Sequence, residues 1–305
     1  MHIVIPDDYQ DAVRHLDCFL KLSGHTVTIY NDSVTGADAL AERFRDADAL
    51  VLIRERTSID DALLARLPGL KVISQTGKGT AHIDVEACER RGVQVVTGTG
   101  SPYAPAELTW ALVLASSRVV ALEAARLRAG HWQTTLGRSL RGRTLGIWGY
   151  GKIGSLVAGY GRAFGMHVVA WGREGSRERA LADGHTFAES VETFFAAADV
   201  LSLHLRLTPE TRGIVTAQHL AVMKPDALLV NTSRAELIET GALEAALRAG
   251  RPGFAAVDVY EDEPTLTHPL LHMDNVLCTP HLGYVERDSY ELYFGQAFDN
   301  VVKFA

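Results

Sequence analysis

The chain has 305 residues, 47% hydrophobic and 22% charged, with a formal net charge of −7. That length and balance suit a globular protein of about two domains. They exclude a global basic field that would recruit nucleic acid or an anionic membrane surface. The three cysteines, Cys18, Cys88 and Cys278, show no paired or metal-type spacing, so free thiols in a reducing compartment and no metal centre are expected. Charge arrives at Asp7 and Asp8, too early for a signal peptide. The longest apolar stretch, 108–122, carries Arg118 and falls short of the roughly 20 residues of a membrane span. A cytoplasmic protein is the expectation.

In chain order, residues 2–5, 26–30, 49–53, 71–75 and 93–97 read as strands. Helical patterns at 37–44 and 59–67 lie among them, the second stopped by Pro68-Gly69. Such alternation predicts a parallel sheet with helices on both faces. Thr97-Gly98-Thr99-Gly100-Ser101-Pro102 is dense in breakers and reads as a crossover between domains. One long apolar helix is expected over 105–130, with 108–122 buried, at a subunit interface. Further strands at 167–171, 200–203, 227–231, 253–257 and 276–279 alternate with helices that include 156–164, 190–196, 217–223 and 240–249.

The most informative run, Thr144-Leu145-Gly146-Ile147-Trp148-Gly149-Tyr150-Gly151-Lys152-Ile153-Gly154, lies mid-chain. A β-prone stretch enters Gly-x-Gly-x-x-Gly and leaves as a helix, the order of a dinucleotide-binding fingerprint. Gly149 permits the tight turn, Gly151 lets backbone approach a pyrophosphate, and Gly154 lets helix pack on strand. The helix N-terminus then offers free N–H groups to the phosphates.

Three further motifs follow it. They are Leu203-His204-Leu205-Arg206-Leu207-Thr208-Pro209-Glu210-Thr211-Arg212-Gly213; Leu229-Val230-Asn231-Thr232-Ser233-Arg234 continuing through Ala256-Val257-Asp258-Val259-Tyr260-Glu261-Asp262-Glu263-Pro264; and Thr279-Pro280-His281-Leu282-Gly283. In this order and spacing, they resemble the D-isomer-specific 2-hydroxyacid dehydrogenases over nearly the whole chain. The resemblance implies an α/β protein of two Rossmann-like, doubly wound parallel-sheet domains. A nucleotide domain at 98–282 would be inserted into a flavodoxin-like substrate domain made of 1–97 and a C-terminal helix at 283–305. It also implies a homodimer paired through the nucleotide domains.

The implied reaction is hydride transfer between NAD(P)H and a small 2-keto acid or D-2-hydroxy acid of the glyoxylate, hydroxypyruvate or 3-phosphoglycerate type. Arg234 resembles the family's carboxylate-binding arginine, whose guanidinium fork matches a carboxylate. His281 resembles the general acid/base, since imidazole titrates nearest neutrality. Glu263 resembles the carboxylate that orients that histidine. Asp258 resembles a contact to the nicotinamide carboxamide, and Lys152, Ile153, His204, Arg206, Thr232, Ser233 and Gly283 complete the implied cofactor set. In the first domain, Thr76-Gly77-Lys78-Gly79-Thr80 resembles a loop whose amides hold the substrate carboxylate. Lys78, Gly79 and Arg54 are its candidate substrate residues.

Some positions depart from the pattern. NAD-specific domains place an acid about 20 residues past the glycines. Here Gly172 stands at that position and Arg173 follows, so NADP(H) is favoured over NAD(H), with Glu174 as the residue that keeps NAD open. Arg206 replaces a proline common in the family. A nucleotide-sensing corepressor-like binding protein and a formate dehydrogenase are the competing readings. The first is expected to carry partner-binding extensions, and the second commonly has Gln in place of Glu263.

Overall fold

Short, β-branched and leucine-rich runs build two parallel sheets, one in each of two units. The computed structural model describes residues 1–304. One unit comprises Met1–Ser101 with Val285–Ala305, and the other Pro102–Tyr284. Residue 305, the end of the expected C-terminal segment, lies outside the described residues.

In the first unit, β1 (His2–Ile5), β2 (Thr26–Ile29), β3 (Ala49–Leu52), β4 (Val72–Gln75) and β5 (Gln94–Thr97) pair in the order β2-β1-β3-β4-β5, all parallel. That is the flavodoxin-like winding. Strand β3 is buried at every position, so its sequence is an unbroken apolar run rather than an alternating one. The helix expected at 59–67 is only Asp61–Leu64, capped by the Asp60 carboxylate. Ile59 instead bridges to Ile83 in extended conformation. The helix Arg287–Val302 covers this sheet. Ser74 donates its hydroxyl to Ala297 O at 3.0 Å, and Glu291 accepts from the amides of Asp17 and Cys18 at 2.6 and 2.9 Å.

In the second unit, β6 (Thr144–Trp148), β7 (His167–Trp171), β8 (Thr186–Phe187), β9 (Val200–Leu203), β10 (Leu228–Asn231), β11 (Phe254–Val257) and β12 (Val276–Cys278) form one parallel sheet in the order β12-β11-β10-β9-β6-β7-β8. Its two faces carry separate cores. Trp148, Phe194, Leu201, Leu203 and Leu229 pack on one. Leu145, Ile147, Val157, Val230 and Trp110 pack on the other. Strand β8, the helix Glu174–Ala182 and the 3-10 turns Val13–His15 and Asp17–Leu22 carry too little periodicity to be seen in the sequence.

The single helix expected over 105–130 is corrected by the structure. It is two helices, Tyr103–Ser117 and Val120–Arg128, bent by 60°. Val119 takes a left-handed conformation, φ +54°. The chain at Gly137 and Arg138 crosses the helix end there. Arg138 N donates to Ser117 O at 2.6 Å, and a Cβ on Gly137 would lie 2.9 Å from Arg118 Cα. A long-range crossing of this kind leaves no local signal. Of the apolar residues in 108–122, Leu112 and Val113 pack inside the unit's own core and Val120 is exposed. Among the described residues no single helix is long and apolar enough to cross a membrane; the two halves meet that test only as a bent pair.

Candidate active site

Register brings the strand ends of the second unit level. Trp148 pairs with Trp171 and Leu203, Leu203 with Asn231, Asn231 with Val257, and Val257 with Cys278. The next residues along the chain, Gly149, Gly172, His204, Thr232, Asp258 and Thr279, therefore line the carboxyl edge, where α/β sheets hold ligands. Strand order reverses between β6 and β9, so the crevice opens at Gly149 and His204.

The fingerprint turn is shaped by missing side chains. Gly149 has φ +95°, and a Cβ there would sit 2.5 Å from His204 O. A Cβ on Gly154 would fall 2.3 Å from Gly149 O. Gly151 faces open space, with nothing within 4 Å of its Cβ position. The helix Lys152–Ala163 begins with Ser155 N donating to Gly151 O at 2.9 Å. The amides of Lys152, Ile153 and Gly154 precede that first turn of bonds and have no acceptor within the helix. Open space beside free amides at a helix N-terminus fits a pyrophosphate.

At the end of β7, Gly172 has φ +156°, and a Cβ would lie 3.1 Å from Ser176 Oγ. A side chain there is strained, so this backbone does not favour the acid of NAD-specific domains. Arg173 is exposed and begins the helix Glu174–Ala182, with Glu174 also exposed. Arg206 is exposed, and its carbonyl accepts from the Thr211 hydroxyl at 2.7 Å. The His204 ring turns back to Ser202 Oγ at 2.9 Å. Burial lowers its pKa to about 4, so it is neutral at physiological pH.

The opposite end is built from occupied side chains. Buried Asn231 shapes the turn after β10: its Oδ1 accepts from Ser233 N at 3.0 Å, and its Nδ2 donates to Arg234 O at 2.8 Å. Ser233 Oγ donates to Leu203 O at 2.7 Å, and Thr232 Oγ1 lies 2.7 Å from Thr109 Oγ1. Arg234 follows, donating to Ser233 O at 2.7 Å. His281 Nδ1 lies 2.5 Å from Glu263 Oε2. Burial works against ionisation of Glu263, but the His281 bond and charge, the Tyr260 amide and Arg234 outweigh it and hold the carboxyl below its usual range. Arg234, Glu263 and His281 are thus one electrostatic group.

Asp258 is fully buried, and burial pushes its pKa up. Its Oδ1 accepts from the Thr279 hydroxyl at 2.6 Å and Leu282 N at 2.7 Å, and its Oδ2 from Gly283 N at 2.9 Å. These bonds brace the turn that carries His281 at φ +51°, a conformation a non-glycine residue holds only when its surroundings impose it. Tyr260 adds to the brace, donating its amide to Glu263 Oε1 at 2.9 Å and its hydroxyl to Thr279 O at 3.0 Å. Sequence reasoning gave no role to Asn231, Tyr260 or Thr279. Each lies inside a quoted motif; Thr279 and the Tyr260 hydroxyl bond to distant segments, whereas the Asn231 side chain bonds only within its own turn.

The remaining candidates belong to the first unit. Arg54 follows β3 with φ +55°, its amide bonded to Thr76 Oγ1 at 2.9 Å and its carbonyl to Gln75 Nε2 at 2.8 Å. Its guanidinium lies over Gly77, and the Glu55 carboxylate lies over Gly79. Lys78, between those glycines, is exposed. Among the described residues no group of three or more His, Cys, Asp or Glu could hold a metal ion.

Residues 110–283 match the family described as D-isomer specific 2-hydroxyacid dehydrogenase, NAD binding domain. The chain is 40% identical to a glyoxylate reductase of Aeropyrum pernix, over 88% of this chain and 83% of the relative. It is 38% identical to a D-3-phosphoglycerate dehydrogenase of Methanocaldococcus jannaschii over 81% of this chain, but spans only 47% of that longer relative. The structure of a phosphoglycerate oxidoreductase from Vibrio cholerae superposes with a TM-score of 0.97 at 59% identity, covering 100% of this chain and 98% of that one.

Proposed function

The chain belongs to the D-isomer specific 2-hydroxyacid dehydrogenase family, and on that premise we propose that it reduces a short 2-keto acid to the D-2-hydroxy acid, with NADPH preferred over NADH. The observation that carries this reading is the His281–Glu263 pair at 2.5 Å, with Arg234 acting on the same carboxylate, on the sheet edge that also holds the fingerprint turn. The nicotinamide cofactor supplies the hydride when bound. Arg234 grips the substrate carboxylate through its guanidinium fork. His281 uses Nδ1 toward Glu263, which leaves Nε2 to give a proton to the substrate oxygen. Ionised Glu263 fixes the orientation of the ring. Asp258 and Gly283 brace the turn that carries His281 and would lie at the nicotinamide end of the cofactor. Lys152, Ile153, His204, Arg206, Thr232 and Ser233 would complete the contacts to it along the edge.

The substrate is of the glyoxylate, hydroxypyruvate or phosphoglycerate type. Preference for NADPH is supported by Gly172, whose backbone disfavours an acid, and by exposed Arg173 beside it. A homodimer through the second unit is supported by Trp132 and Leu136, which are 76% and 97% exposed. A cytoplasmic location is supported by three free cysteines. The test is a panel of glyoxylate, hydroxypyruvate and phosphohydroxypyruvate assayed with NADPH and NADH. Turnover of at least one is expected, and turnover of none with either cofactor overturns the reading.

A further inference from the structure

The helix Glu174–Ala182 does more than present Arg173; it reaches back and holds the fingerprint turn. Arg179 donates to Tyr150 O through Nε at 3.1 Å and Nη2 at 2.9 Å. Tyr150 is the residue between the first two fingerprint glycines. Its ring is buried, and its hydroxyl donates to Asp183 Oδ2 at 2.7 Å, one residue past the same helix. His185 packs edge-on against that ring at 5.8 Å. Burial, and then the Asp183 carboxylate, push the phenol pKa up, so it remains a donor. On the other side of the peptide, Gly151 N donates to Gly149 O at 2.9 Å.

The Tyr150–Gly151 peptide is therefore held at both ends, its carbonyl by a guanidinium and its N–H by Gly149. Glycines on either side of Tyr150 would otherwise let it rotate. The amides of Lys152 and Ile153, which come next along the chain, would move with it. We propose that Arg179 is a positioning residue for the dinucleotide: its two-bond grip on Tyr150 O keeps the turn in the shape that presents the helix amides to a pyrophosphate. This rests on the reading that the fingerprint binds NAD(P). A lysine would keep the charge but lose the fork, since its ammonium is a point donor. The Tyr150 phenol, by contrast, ties the ring down without touching the carbonyl.

The two contacts are separable by titrating NADPH fluorescence against purified full-length variants. Arg179→Met is expected to weaken NADPH binding about tenfold, the loss of a charge-assisted pair of bonds. At saturating cofactor its kcat should stay within about twofold, and the KM for the keto acid should not move. Arg179→Lys should bind about threefold more weakly than wild type, between the two. Tyr150→Phe should lower the melting midpoint yet leave the Kd within about twofold. If Arg179→Met lowers only the melting midpoint and binds NADPH as wild type does, the inference is wrong. If that variant does not fold, Arg179→Lys decides, and a wild-type Kd there overturns it. A wild type that binds neither NADPH nor NADH sinks the functional reading along with it; a wild type that binds, beside an Arg179→Met that binds equally, sinks this inference alone.

Discussion

The two ends of the carboxyl edge in the second unit are built by opposite means. At β6 and β7, the edge is shaped by what is absent. Gly149 and Gly154 have no room for a Cβ, Gly151 leaves space open, and Gly172 turns where an acid would be strained. At β10, β11 and β12, the edge is shaped by side chains whose bonding capacity is taken up. Asp258 accepts from Thr279, Leu282 and Gly283, and Asn231 braces the turn before Arg234. On the proposed function, a cofactor made of phosphates and sugars would be met by backbone shape and helix amides. A proton transfer needs one ring held at one angle, and that takes buried polar partners.

The sharpest way to break this contrast is His281→Ala. Turnover should fall by about 10²–10⁴, while the NADPH Kd stays within about twofold. A parallel loss of cofactor binding would show that the two ends are not separate devices. Arg173→Ala should cut the preference for NADPH over NADH by about 10–150-fold, read as the ratio of kcat/KM at fixed ionic strength. A wild type that prefers NADH would instead point to Glu174. Because Gly172 sits at φ +156°, Gly172→Asp should not install an NAD-type ribose contact cleanly, and about 1–3 kcal/mol of stability should be lost with it. Gly149→Ala should weaken NADPH binding about 10–100-fold through strain alone, with the acid/base end untouched.

The smallest effects are in pH dependence, and the two ends should titrate in different windows. Burial of His204 lowers its pKa in the native state to about 4, against about 6.5 for a free imidazole. The unfolded state therefore binds more protons, and stability should fall as pH drops from about 6.5 toward 4, by about 1–3 kcal/mol. His204→Asn should flatten that slope in urea melts. Burial works against ionisation of Glu263, but the His281 bond and charge outweigh it and hold the carboxyl below its ordinary range in the native state. Its contribution is present above that ordinary range and is lost as pH falls through the native pKa, so wild type and Glu263→Gln should converge in stability in strong acid.

The same contrast explains what could be read from the sequence. The glycine spacing at 149–154 is local, so the nucleotide end was legible as a turn between strand and helix. Most strands were legible too, because burial on both faces makes them compact apolar runs. Glu263 and His281 are 18 residues apart and meet across two loops, so their pairing rested on family likeness. The positive φ of His281 and Arg54 and the break at Val119 were not legible, since each is imposed by distant chain. Arg179 was invisible for the same reason: its target is a carbonyl oxygen 29 residues upstream.

The first unit is closed by chain that follows the second unit in the sequence. Glu291 caps amides at Asp17 and Cys18, and Ala297 takes the Ser74 hydroxyl, across sequence separations of 274, 273 and 223 residues. The second unit is one continuous stretch of chain. During synthesis it can therefore mature on its own, while β3 and β4 wait with an uncovered face until residues 287–302 have left the ribosome. Order of birth and order of completion are thus reversed: the sheet made first is the one finished last, and it is the one that needs protection from aggregation in the interval.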